Sequence, residues 1–370
     1  MTAPTGDAPV TSPPRNPRAG RPAAALRHRL FWPALVLALL LLANLLFTPG
    51  FLSVEMKDGH LYGSLIDIFR FGAPLILVAT GMTLVIATGG IDLSVGSVVA
   101  ISGALSCLWV SGLADQQSAG GVLAAVGLAL GLSLALGVWN GFLVSGIGIQ
   151  PIIATLILMV AGRGLAQLIT DGQIVTVNSD PYKLIGGGYW LTLPFGVLIA
   201  AAVLAVTAFL TRRLALGLLI ESVGGNATAS RLAGLRSRGL IVTVYAFCAL
   251  CAGIAGLMIS SNVSSADGNN AGLWIELDAI LAVVIGGTSL AGGRFSLGGT
   301  VIGALIIQTL TTTIYSIGIP PETTLLFKAL VVTVVCLLQS AAFREKAFHL
   351  RRRRPGAAPA SADEKVRVPA

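Results

Sequence analysis

Charge is scarce in this chain. Asp, Glu, Lys and Arg together make up 11% of its 370 residues, against about 25% in an ordinary soluble domain. That shortage argues against a water-soluble globule. Histidine is scarcer still: His28, His60 and His349 lie outside the long apolar runs and have no metal-ligand spacing. Neither G-x-S-x-G nor G-x-x-x-x-G-K-[ST] occurs, so the sequence offers no nucleophile elbow and no Walker nucleotide site. No enzyme activity is expected, and no resident cofactor. Cysteine is also rare. Cys248 and Cys251 form a C-x-x-C, but inside "VTVYAFCALCAGIAGLMIS", without a second Cys or His pair. They read as small buried apolar residues rather than a redox or metal pair.

What the chain does have is apolar length. Hydrophobic residues reach 55%, with 45 glycines. Apolar runs fall near 31–48, 68–88, 92–112, 119–147, 151–170, 191–211, 240–261, 275–293, 297–318 and 325–341. Runs of about 20 apolar residues match the hydrocarbon core of a bilayer. The expected fold is therefore an all-α polytopic transmembrane helix bundle of about ten spans. Residues 1–29, rich in Pro, Ala, Gly and Arg, read as a disordered basic tail, 30–341 as the membrane domain, and 342–370 as a second basic tail.

The net charge of +8 is placed for topology rather than for nucleic acid. Arg15, Arg18, Arg21, Arg27 and Arg29 precede the first run. Arg212, Arg213, Arg231, Arg236 and Arg238 fill the segment 212–239, and Arg344, Lys346 and Arg351 to Arg354 follow the last run. The positive-inside rule places all three clusters in the cytoplasm, with six runs before 212–239 and four after it. Both termini then face the cytoplasm, and the basic tails can touch anionic lipid. Trp109, Trp190 and Trp274 fall near outer ends, Trp32 and Trp139 near inner ends, as aromatic belts require.

Three G-x-x-x-G patterns, "GLALG" (127–131), "GVWNG" (137–141) and "GTVIG" (299–303), suggest close helix contacts. A fainter echo relates "VIATGGIDLSVGSVVAISGAL" (85–105) to "SLAGGRFSLGGTVIGAL" (289–305): Gly-Gly, a polar break, then a small-residue helix. Paired interrupted segments point to a transport pathway.

An ionisable side chain at a helix centre costs roughly 2.5–3.5 kcal/mol on insertion scales, so the few at membrane depth carry information. They are Asp67, Arg70, Asp92, Arg163, Glu276 and Asp278. Asp92, after Gly89-Gly90, reads as the N-cap of a helix that follows a break, a role compatible with lining a passage. Arg163 needs an acid partner or a wet cavity. Glu276 and Asp278 read as helix-terminus residues favoured by the macrodipole. Ser94, Gln150, Thr155, Asn269 and Asn270 could offer hydrogen bonds along a route. In "RRLALGLLIESVGGNATASRLAGLRSRG" (212–239), Leu218, Ile220, Val223, Leu232 and Leu235 could form the apolar face of a docking helix. Three classes stay open on these grounds: a transporter driven by a partner, a self-sufficient secondary transporter coupled through a carboxylate such as Asp92, and a passive solute channel.

Four blocks favour the first. "GMTLVIATGGIDLSVGSVVAISGA", "QPIIATLILMVAGRGLAQLIT", "ESVGGNATASRLAGLRSRG" and "ELDAILAVVIGGTSLAGGRFSLGGTVIGALI" resemble the permease subunits of bacterial ABC sugar importers of the ribose/xylose/arabinose class. The similarity runs from about 31 to 341. "DGHLYGSLIDIFRFGAPL" and "SADGNNAGLWIELDAILAVVIGG" are similar to the galactofuranose-importing branch. The resemblance implies two permeases, this chain with a second copy or a close paralogue. It also implies a cytoplasmic ATPase subunit that binds ATP and Mg, a periplasmic sugar-binding protein, and residence in the bacterial inner membrane. It makes Glu221 to Gly234 the segment that engages the ATPase, with Glu221, Gly224, Gly225, Asn226, Arg231 and Gly234 as its marked residues, and sets Asp92 and 267–278 near the sugar's route.

Overall fold

A computed structural model describes residues 30–47, 50–57, 59–318 and 321–339; both expected tails lie outside the described residues. Every apolar run carries a helix. In chain order they are α1 (Phe31–Phe47), α2 (Ser64–Ala87), α3 (Val95–Ser111), α4 (Ala119–Phe142, prolonged by a π turn Leu143–Ile147) and α5 (Pro151–Ile169). There follow α6 (Asp180–Gly187), α7 (Phe195–Arg213), α8 (Leu216–Gly225), α9 (Ala227–Leu232), α10 (Ser237–Val263), α11 (Ile275–Ile285), α12 (Leu297–Ser316) and α13 (Pro321–Gln339).

The helix starts follow local chemistry. Ser118, Asn226 and Ser296 cap α4, α9 and α12, each accepting the backbone N–H three residues on. Pro151 opens α5 at a position where no N–H is needed. The all-α expectation needs one amendment. Three two-stranded ribbons join the connections: β1 (Glu55–Lys57) with β2 (His60–Tyr62), β3 (Ile174–Thr176) with β6 (Ser265–Asp267), and β4 (Tyr189–Trp190) with β5 (Leu193–Pro194).

Among the described residues six helices are long and apolar enough to cross a membrane: α2, α4 with its π turn, α5, α7, α10 and α12. Helices α1 and α3 have 17 residues each. Helix α11 has 11, about 16 Å of rise, roughly half a hydrocarbon core. Length alone thus supports a multi-pass membrane bundle without fixing ten full crossings.

Helix α10 is the hub, packed by α2, α3 and α4. Helix α2 is buried without interruption from Gly72 to Ala87, as expected of a helix apolar all round. Small residues make the approach possible. A Cβ on Gly137 would lie 2.6 Å from the Ala249 methyl, and one on Gly141 2.6 Å from the Val242 Cα, so "GVWNG" seats α4 on α10. "GTVIG" does the same for α12 on α11, where Gly299 and Gly303 meet the backbone at Gly286 and Ala282. Gly127 and Gly131 face open space, so "GLALG" makes no such contact. Cys248 and Cys251 are buried free thiols, and Gly81 packs against Cys248. Trp109, Trp139, Trp190 and Trp274 are all exposed, as interfacial rings must be.

Candidate functional site

The first break, residues 88–94 between α2 and α3, is held by side chains. Asp92 is fully buried, and its Oδ1 accepts the Ser94 N–H at 3.0 Å and the Ser94 Oγ–H at 2.6 Å. Asn140 of α4 donates to the same Ser94 Oγ at 2.9 Å. Thr155 of α5 reaches the Ile91 carbonyl at 3.3 Å, and Ser97 bridges the Ser94 and Leu158 carbonyls at 2.7 and 3.2 Å. Here the sequence expectation needs correction. The N-cap residue of α3 is Ser94, not Asp92. The carboxylate closes an i to i+2 turn that holds Ser94 in place, as Asx turns do. Nothing about the spacing alone separates these two arrangements. Asp92 Oδ2, Asn140 Oδ1 and the Tyr245 hydroxyl are buried with no hydrogen-bond partner among the described residues.

The second break, residues 286–296 between α11 and α12, is held by backbone. Gly287, Gly292 and Gly293 have φ of 85°, 86° and 90°, a region open to glycine and costly for other residues. Its polar bonds are local and partly exposed: Ser289 Oγ accepts the Ala291 N–H at 3.2 Å, and Thr288 Oγ1 the Ser296 N–H at 3.3 Å. The two breaks meet. The Gly293 N–H donates to the Ala87 carbonyl at 2.9 Å. A Cβ on Gly292 would stand 3.0 Å from Gly89 N and 2.8 Å from the Gly224 carbonyl. Gly224 in α8 sits directly on the Ala87 carbonyl, and a Cβ there would be 2.7 Å from Gly293 N. The aligned Gly-Gly pairs of the faint repeat are therefore in contact, with α8 on top of them.

Segment 212–239 is thus mostly helical. Ile220 and Val223 are buried against the bundle, whereas Leu218 and Leu232 are 69% and 86% exposed, so the five apolar residues do not share one buried face. Asn226 caps α9 through the Ala229 N–H at 2.9 Å. Gly225 and Arg231 are exposed, Glu221 is half-buried, and Gly234 turns the chain at φ 86°.

A third cluster forms where loop 264–274 descends along α3. Among the described residues Arg163 finds no acid within salt-bridge distance. Its Nη1 donates to the Ala271 carbonyl at 2.7 Å and to those of Gly268 and Asn269 at 3.4 Å each, and its Nη2 reaches the Gly96 carbonyl at 3.5 Å. Asp267 organises the loop, accepting the N–H groups of Asn269 and Asn270 on Oδ1 and the Asn270 side chain on Oδ2 at 2.7 Å. The Asn270 bond, aided by the backbone ones, holds the Asp267 carboxyl below the usual carboxylate range. Trp274 and Gly272 take φ of 65°, turning the chain into α11.

Glu276 and Asp278 lie in the first turn of α11, as expected, but their surroundings differ. Glu276 is 3% exposed, lies against the Gly96 Cα, and its Oε2 has no partner among the described residues. Asp278 forms an ion pair with Lys328 of α13 at 2.8 Å. Gln150 is exposed at the start of α5, apart from these clusters. Sequence reasoning missed Asn140, Tyr245 and Lys328. Asn140 had a signal, being an amide between two glycines of an apolar run, and Lys328 is a cation inside another.

Comparison with known proteins fits this architecture. Residues 64–336 match the family model described as branched-chain amino acid transport system / permease component. The chain is 51% identical over 323 residues to the galactofuranose transporter permease protein YtfT of Escherichia coli K12, covering 86% of this chain and 93% of that one. It is 39% identical to the fructose import permease protein FruF of Bifidobacterium longum, over 89% of this chain and 92% of the relative. The ribose import permease protein RbsC of Escherichia coli K12 is 36% identical over 82% and 92%. No solved structure matches the chain. Interrupted helices, a glycine-built bundle and these identities across nearly the whole membrane domain agree, and the chain belongs to the branched-chain amino acid transport system / permease component family, among its ABC sugar-importer permeases.

Proposed function

We propose that this chain is the membrane-spanning permease subunit of an ATP-driven bacterial importer whose sugar is galactofuranose. The 51% identity to the galactofuranose permease supports the choice of sugar. The mechanism rests on one observation above all: Gly224 of α8 touches the Ala87 carbonyl at one break and Gly293 at the other. A push on α8 reaches both interrupted helices through backbone, with no soft side chain between. The chain carries no nucleotide motif, so that push comes from a cytoplasmic ATPase subunit that binds ATP and Mg and engages Glu221 to Gly234.

In this reading ten helices cross the inner membrane and both termini are cytoplasmic. A second copy or close paralogue completes the passage. A periplasmic sugar-binding protein docks on the opposite end, at 171–190 and 262–274, and delivers the sugar toward Arg163, Asn269, Asn270 and Glu276. The ligand is neutral and hydroxyl-rich, so hydrogen-bonding groups suit it better than a ring of charge. Asp92, Ser94 and Thr155 keep the first break in shape while α8 moves.

The test is reconstitution in proteoliposomes. Labelled galactofuranose is taken up only when the ATPase, ATP and the binding protein are all present. A self-sufficient secondary transporter is the competing reading, favoured by the unpartnered buried oxygens of Asp92 and Glu276. Uptake driven by an ion gradient without partners would establish it and overturn the proposal. Leak-like equilibration would indicate a channel.

A further inference from the structure

At the end of the bundle away from α8, the first turns of α2 and the last turns of α12 splay apart. Closer to the middle they touch: Gly72 meets the Gln308 side chain, and Thr83 and Thr300 share a hydrogen bond of 2.8 Å. The splay leaves a cavity of about 460 Å³ lined by Asp67, Phe71, Gln308, Thr312, Tyr315 and Ser316. None of these residues belongs to the breaks, to the Arg163 cluster or to α8. Ligand sites of this size are mostly apolar, with a few convergent polar groups.

The lining gathers hydrogen-bonding groups at the ends of two helices. It offers one carboxylate, one carboxamide, three hydroxyls and one phenyl face, and no cation. Among the described residues no side chain hydrogen-bonds the Asp67 carboxylate; Arg70, one turn on, interacts with it through space while its Nη groups bond Asn262 Oδ1 at 2.7 Å and the Tyr189 hydroxyl at 3.4 Å. Gln308 Nε2 makes only a long 3.4 Å bond to Thr312 Oγ1. Phe71 is half-exposed, its ring approached by the Arg70 guanidinium at 5.5 Å. Asp67, Gln308 and Thr312 are half-buried and Tyr315 and Ser316 exposed, so a ligand can reach their polar atoms from outside the bundle.

We propose that this cavity is a binding site for a neutral polyhydroxylated ring, stacked on Phe71 and hydrogen-bonded by Asp67, Gln308 and Thr312. The carboxylate and the amide oxygen accept from vicinal hydroxyls, the amide N–H and the threonine hydroxyl donate, and the phenyl face takes the C–H side of the ring. An anionic ligand is disfavoured by Asp67. The ring has two possible sources, a free monosaccharide or the headgroup of a glycosylated lipid. The inference does not depend on the importer reading, because it is tested by binding and not by uptake.

The experiment uses the full chain in phosphatidylcholine nanodiscs. Saturation-transfer NMR with galactose and ribose is the first arm. The second is native mass spectrometry of nanodiscs doped with monogalactosyl diacylglycerol. Thr312→Val keeps the volume and removes one hydroxyl, and Phe71→Ala removes the stacking face. Each lost contact should weaken binding roughly five- to tenfold, with an unchanged melting temperature for Thr312→Val. If Phe71→Ala does not fold, Thr312→Val decides. Free-sugar signals weakened by the variants assign the site to soluble sugar; retained galactolipid lost in the variants assigns it to a headgroup. Absence of both ligands, or binding indifferent to both variants, overturns the proposal.

Discussion

The two helix breaks solve one problem in opposite ways. Between α2 and α3, Gly90, Asp92 and Ser94 are buried and only Gly89, at φ 83°, is exposed; the shape is held mainly by Asp92, Ser94, Asn140 and Thr155, side chains from three elements. Between α11 and α12, five of the eleven residues 286–296 are exposed and two buried, and their shape is set by three glycines at positive φ. A buried break must satisfy its backbone internally, because neither lipid nor a packed core supplies donors. An exposed one has water, and needs only freedom of dihedral. Side-chain scaffolding makes the first break stiff. The second break has no such scaffold, and α8 touches both, at the Ala87 carbonyl and at Gly293.

Substitutions sharpen this contrast. Asp92→Leu strands the Ser94 N–H and hydroxyl inside the bundle and should cost about 3 kcal/mol or more. Thermal unfolding in detergent, with yield of inserted protein, reads the effect, and Asp92→Asn should recover most of it. Equal tolerance of Leu and Asn would remove the scaffolding role. Gly292→Ala imposes φ 86° on an alanine beside Gly89 and the Gly224 carbonyl. It should cost about 1–2 kcal/mol of stability, with uptake falling far more than the melting temperature.

Smaller effects are expected where water already serves. Ser289→Ala, in the exposed break, should shift stability by no more than about 0.5 kcal/mol; a loss as large as that of Asp92→Leu would erase the distinction. The smallest effect belongs to pH. The Asp267 carboxyl titrates below its ordinary range because Asn270 and two backbone N–H groups bind its charged form. Its contribution is present at neutral pH and is lost as pH falls through that lowered value. Amide exchange of Asn269 and Asn270 should therefore accelerate only in strong acid. Acceleration near pH 6 would point to another group.

Much of this was legible in the residues. Each apolar run became a helix, and the Gly-Gly echo marked two real interruptions. What stayed hidden depends on contacts between distant segments. Asp92 reads as a cap because capping is a local rule, yet Ser94 takes that position once Asn140 arrives from α4. Arg163 reads as needing an acid partner or a wet cavity, and its hydrogen bonds go to the carbonyls of a loop more than a hundred residues away, with Glu276 and Asp267 acting on it through space. Asp278 reads as a helix-terminus acid, and its ion pair with Lys328 of α13 was not read from the sequence. The short α11 was not foreseen, because an apolar run does not show where a loop replaces a helix.

The central claim is that α8 drives both breaks through Gly224. Its most direct test is the number of sugars transported per ATP hydrolysed, in proteoliposomes holding the full importer, for wild type and Gly224→Ala. A methyl group there collides with the Ala87 carbonyl and forces α8 away from both breaks. The account predicts that the assembled complex keeps its ATPase activity while sugar per ATP falls at least roughly tenfold, a coupling loss of about 1.4 kcal/mol. An unchanged ratio in an assembled Gly224→Ala complex would contradict it.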